Sequence, residues 1–66
     1  ASLLGLSSLN YRNGEYLNAR AFLQRFESAE QVTAESLMLG YQIESALGDQ
    51  KAAKDYQRQL LEQFWR

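Results

Sequence analysis

The 66-residue chain contains no cysteine, no histidine and no proline. Without cysteine, neither a disulfide framework nor a thiolate metal site can add stability. Without histidine, the commonest general base and the commonest metal ligand are missing, and the thiol nucleophile is missing as well. β-Branched residues are scarce: Val32, Thr33 and Ile43 are the only three, which argues against a sheet. No stretch approaches the roughly 20 apolar residues of a membrane span. The apolar start, Ala1 to Leu9, has no basic segment before it and no cleavage signature after it, so it does not read as a secretory signal. Seven basic residues are interspersed with eight acidic ones, for a net charge of −1. No basic stripe is left for a nucleic-acid partner.

Hydrophobic residues make up 45% of the chain, too many for a disordered segment. Abundant Ala, Leu, Gln, Glu, Lys and Arg favour helix. Gly14-Glu15-Tyr16-Leu17-Asn18-Ala19 recurs as Gly48-Asp49-Gln50-Lys51-Ala52-Ala53, 34 residues later. At that offset Ser2 falls on Ser36 and Leu3 on Leu37. Conservative pairs follow at Leu4/Met38, Leu9/Ile43, Arg20/Lys54, Phe22/Tyr56 and Phe26/Leu60. The periodicity predicts an all-α chain of about four helices in antiparallel helix–turn–helix repeats, with one repeat over 1–32 and a second over 33–66.

Helix one is predicted from about Ser2 to Arg12, with Leu3, Leu6, Leu9 and Asn10 on one face and Leu4 and Tyr11 flanking it. Gly14 and Gly48 should stand at helix ends with positive φ. Helix two is predicted from about Glu15 to Phe26, its stripe being Ala19, Phe22, Leu23 and Phe26. Small Ala19 marks a close helix crossing. Glu27 to Val32 reads as the turn between repeats. Thr33 is the expected N-cap of helix three, which runs to about Leu47. Gly40 inside that helix suggests room for a neighbouring backbone. Asp49 is placed to cap helix four, whose inner row would be Ala53, Tyr56, Leu60 and Phe64. On its outer face Lys51/Asp55 and Arg58/Glu62 stand at i, i+4.

A repeat of about 34 residues built as helix–turn–helix has the tetratricopeptide (TPR) period, and the chain resembles a TPR-like α-solenoid fragment. The places of the TPR signature hold Leu3, Leu6-Ser7, Asn10, Ala19, Leu23 and Gln31 in the first repeat. In the second they hold Leu37, Gly40-Tyr41, Glu44, Ala53, Gln57 and Trp65. Gln57 replaces an aromatic, and Trp65 stands where a helix-ending proline would be. Within the TPR proteins, three segments resemble the pilotin family of type IV pilus biogenesis lipoproteins. They are Ala1-Ser2-Leu3-Leu4-Gly5-Leu6, the run from Tyr16 to Phe26, and Thr33 to Tyr41 followed by Ala46-Leu47-Gly48-Asp49. The similarity reaches about Gln63, or roughly two of that family's several repeats. It implies a non-enzymatic scaffold on the periplasmic side of the outer membrane that helps the pilus secretin localise and assemble. The family's lipidated cysteine has no counterpart here, so membrane anchoring is not carried over, and no membrane insertion of this segment is expected.

By the same resemblance, the first helix of each repeat lines a concave protein-binding groove. Its residues would be Leu4, Ser8, Tyr11 and Arg12, then Glu35, Met38, Gln42 and Ser45. Catalysis has little to stand on. The six serines (Ser2, Ser7, Ser8, Ser28, Ser36, Ser45) have no base near them in sequence, and no phosphate-binding glycine loop occurs. Glu27 and Glu30 on one face would make only a weak, solvated cation site. The expectation is therefore no enzyme activity, no cofactor and no metal. The start, Ala1-Ser2-Leu3-Leu4, reads as a helix already under way, which suggests a fragment or an engineered piece. The alternative function is accordingly a truncated or engineered TPR-derived module whose role is self-assembly. Leu60, Leu61, Phe64 and Trp65 would lie at its contact, and a symmetric homodimer is the expected form.

Overall fold

A computed structural model describes residues 2–64. They form four helices: α1 (Leu3–Arg12), α2 (Tyr16–Ala29), α3 (Ala34–Leu47) and α4 (Gln50–Gln63). The protein is all-α, with α1 paired to α2, α3 paired to α4, and α3 resting on both α2 and α1.

Local chemistry sets the helix starts. Ser2 Oγ accepts from the Gly5 N–H at 2.9 Å and opens α1. Thr33 caps α3: its hydroxyl accepts from Ser36 N–H at 3.1 Å, while Ser36 Oγ accepts from Thr33 N–H at 3.0 Å. This reciprocal pair satisfies two backbone donors that would otherwise be orphaned. Asp49 caps α4 by accepting from Ala52 N–H at 3.1 Å. Glu15 has the same place before α2 but makes no side-chain cap bond.

The two hairpin turns share a pair of backbone bonds. Gly14 N–H donates to Tyr11 O and Glu15 N–H to Asn10 O. Thirty-four residues on, Gly48 N–H donates to Ser45 O and Asp49 N–H to Glu44 O. Gly14 has φ 81° and Gly48 φ 80°, a left-handed conformation open to glycine without a Cβ clash.

Ala19, Leu23 and Phe26 of α2 close against Leu39 and Ile43 of α3, with Leu3, Leu4, Tyr11, Leu47 and Tyr56 packed around them. Five expectations need correction. First, α2 continues through Ala29, because residues 27–29 hold no helix breaker; it stops where Glu30 turns extended (φ −132°, ψ 174°). Second, α1 turns Ser7 inward instead of Leu9. Ser7 Oγ donates to Ala19 O at 2.7 Å, and this small–small contact rotates Leu9 outward to 45% exposure. Third, Gly40 admits a side chain, not a backbone: an ideal Cβ there would lie 2.5 Å from the Tyr56 ring. Fourth, Phe64 lies beyond the end of α4 and is exposed, so the inner row ends at Leu60. Fifth, the surface charges of α4 pair differently: Arg58 bonds Asp55 one turn back, and Gln59 also donates to Asp55 at 3.0 Å.

Gly40→Ala should destabilise the fold by about 1–3 kcal/mol, the usual cost of overpacking, although alanine is intrinsically the better helix former. Thermal denaturation checks the sign: stabilisation would mean that the Tyr56 ring moves aside freely.

Candidate functional site

Three polar contacts fix the relative positions of the helices that carry the surface. The Ser7–Ala19 bond holds α1 to α2. Arg20 on α2 forms a two-pronged pair with Glu44 on α3, Nε to Oε2 at 2.9 Å and Nη2 to Oε1 at 2.6 Å. Asp49 Oδ2 stands 3.8 Å from the same Nη2. Glu44 is almost fully buried while Arg20 keeps an edge in solvent. The hydrogen bonds that Arg20 donates to Glu44 raise the Arg20 pKa and keep its charge in place. Tyr56 Oη on α4 donates to Glu27 Oε1 on α2 at 3.1 Å. Burial raises the Tyr56 pKa, and the nearby Glu27 charge and the hydrogen bond to it raise it further. Burial also raises Glu27, partly offset by the Tyr56 bond. Among the described residues no buried side-chain nitrogen or oxygen lacks a partner.

Two kinds of depression result. Between α1 and α3 lies a shallow one of about 160 Å3, lined by Ser8, Glu35, Met38, Leu39 and Gln42. On the open side of α3 and α4 two hollows adjoin. One, of about 310 Å3, is lined by Tyr41, Ser45, Gln50, Ala53, Lys54 and Gln57. The other, of about 270 Å3, is lined by Met38, Tyr41, Gln42, Gln57 and Leu60. Tyr41 and Gln57 belong to both, so the two form one trough along the α3/α4 face.

Of the expected groove residues, Ser8, Glu35, Met38 and Gln42 come together in the α1/α3 depression. Leu4 and Tyr11 are half-buried and pack against the core. The Tyr11 ring also leans on Tyr16, with centroids 5.6 Å apart. Arg12 is exposed in the last turn of α1. Ser45 lines the α3/α4 trough instead. Among the expected contact residues, Leu60 lines that trough half-buried, and Leu61 and Phe64 are exposed. Trp65 lies outside the described residues.

Tyr41, Lys54 and Gln57 were not singled out from the sequence as surface residues. Gln57 had a signal in the sequence, since at an offset of 34 it corresponds to Leu23 of the inner stripe; the counterparts of Tyr41 and Lys54, Ser7 and Arg20, are engaged only through contacts between helices. Among the described residues no group of three or more metal-ligating side chains converges. Glu27 is engaged by Tyr56, not poised with Glu30 for a cation. No described helix is long and apolar enough to cross a membrane. Comparison with known proteins gives no match, whether to a family model, to a curated protein or to a solved structure.

Because folding raises the Tyr56 pKa above its ordinary value of 10.0, the unfolded chain loses that proton first. The native state is therefore favoured below pH 10.0 and loses stability as the pH rises above it. Melting temperatures measured between pH 8 and 11 should fall chiefly above about pH 10, and Tyr56→Phe should flatten that fall. An equal decline in Tyr56→Phe would assign the alkaline loss to other groups.

Proposed function

We propose that this chain is a TPR-type, non-enzymatic protein-interaction module that binds a partner segment in the groove between α1 and α3. The observation that carries the reading is the convergence of Ser8, Glu35, Met38 and Gln42 on one depression formed by the first helices of the two hairpins. Met38 offers a soft, adaptable apolar contact. Ser8, Glu35 and Gln42 surround it with hydrogen-bonding groups, the usual division between an anchor and its polar rim. The sequence resemblance supplies the biological setting. The partner would be a segment of the type IV pilus secretin, and the module would be part of a pilotin-like assembly scaffold on the periplasmic side of the outer membrane. A groove this shallow suits an extended or helical peptide better than an enclosed small molecule.

Peptides tiling the secretin should bind the wild-type chain with changes confined to α1 and α3, followed by amide chemical shifts. Met38→Glu should weaken that binding at least tenfold while leaving the melting temperature nearly unchanged, since Met38 is half exposed. Binding that is insensitive to Met38→Glu, or shifts confined to α4, would place the partner elsewhere.

A further inference from the structure

The internal repeat supplies a worked example of what the α3/α4 trough can hold. In the first hairpin, the corresponding face of α1 and α2 is occupied by α3. Leu4, Ala19, Leu23 and Phe26 meet Leu39 and Ile43 there, and Arg20 grips Glu44. Thirty-four residues on, Leu4, Ala19, Arg20, Leu23 and Phe26 become Met38, Ala53, Lys54, Gln57 and Leu60. All five are among the residues that line the trough. The trough is thus the second hairpin's version of the seat that α3 fills in the first.

The helix that corresponds to α3 under the same offset is α1. Leu9 stands at the register of Ile43. Ile43 is fully buried in its seat, whereas Leu9 is 45% exposed. Asn10 stands at the register of Glu44. Its amide nitrogen already donates to Leu6 O at 2.8 Å, which leaves its carbonyl oxygen able to accept. Lys54, at the register of Arg20, takes part in no ion pair among the described residues and can donate. Both sides also become more polar together. Leu23 gives way to Gln57 in the seat, and Leu39 and Leu47 give way to Gly5 in α1 and Asn13 at its end.

We propose that the α3/α4 trough receives α1 of a second copy of this chain, with Leu9 seated as Ile43 is and Asn10 meeting Lys54. This inference goes beyond the peptide groove and does not rest on it. The contact is head-to-tail, because one copy contributes α1 and the other contributes α3 and α4. It therefore leaves a free end on each side, and copies add without closing into a symmetric pair. With Gln57, Gly5 and Asn13 in the contact, association is weak, so the free chain and short stacks coexist.

The test is sedimentation and light scattering of the chain and of two surface variants, Leu9→Glu and Tyr41→Lys, from about 10 µM to about 1 mM, a span that covers weak interfaces. The average mass of the wild type should climb past that of a dimer with concentration. Each variant loses one of the two mating faces and should stay monomeric alone. Mixed in equal amounts, the Leu9→Glu copy keeps an intact trough and the Tyr41→Lys copy keeps an intact α1, so the mixture should form dimers and stop there. Lys54→Glu, an exposed change with little bearing on folding, should lower the wild-type association at least threefold and serves if either variant loses helicity. A monomeric wild type throughout, a variant that still dimerises alone, or a mixture that does not associate would each overturn the proposal.

Discussion

The arrangement of the four helices depends on the pairing of Arg20 with Glu44. Each hairpin is tied within itself by a glycine turn and by small or apolar contacts. The two hairpins meet through α2 and α3, and there a nearly buried carboxylate takes both prongs of a guanidinium. A carboxylate taken out of water without such a partner would cost several kcal/mol. The planar fork of arginine admits few orientations, so the pair fixes the sliding and rotation of α3 on α2. The apolar residues Ala19, Leu23, Phe26, Leu39 and Ile43 pack in the core beside it, and the angle between hairpins that sets the α1/α3 groove follows from this shared contact of α2 with α3.

The turns do a different job. Gly14 and Gly48 repeat not only a residue type but a backbone hydrogen-bond pattern, and the chain reverses at each within two or three residues. Such short connections leave the paired helices no choice but to run antiparallel. Because both turns have the same geometry, the second hairpin restates the first, and every surface on one has a counterpart on the other.

That restatement is why much of the fold was legible in the sequence. The 34-residue spacing, the glycine–acid turns, the Thr33 and Asp49 caps and the core positions Ala19, Leu23 and Phe26 all follow from local rules. What stayed hidden depended on contacts between helices. Ser7 displaces Leu9 from the inner face of α1 because Ala19 offers a carbonyl at hydrogen-bonding distance, which no one-helix periodicity can register. Gly40 reads as a backbone approach until Tyr56 is found across it. Arg20 and Glu44 look like ordinary surface charges, 24 residues apart. The clue was that each directly follows a core residue, Ala19 and Ile43, which places it at the border of the buried stripe. Four of the eight residues expected in a groove, Ser8, Glu35, Met38 and Gln42, line one depression because α1 and α3 lie side by side. Leu4 and Tyr11 pack against the core instead, a placement that depends on contacts between helices.

The position of α4 at the end of this chain of contacts has a kinetic side. Its backbone lies close to α3 and to no other helix, and one phenol–carboxylate bond reaches past α3 to α2. Opening α4 therefore breaks one helix interface and one hydrogen bond, whereas opening α2 breaks two interfaces and the buried ion pair. Local unfolding follows the cheapest route, and in a linear repeat each unit draws its stability from its immediate neighbours. Backbone amides in α4 will then exchange with solvent sooner than those around Ala19 and Leu23. The fastest-exchanging helix thus lies beside a slow-exchanging core, although α4 and α2 occupy the same place in one repeated pattern.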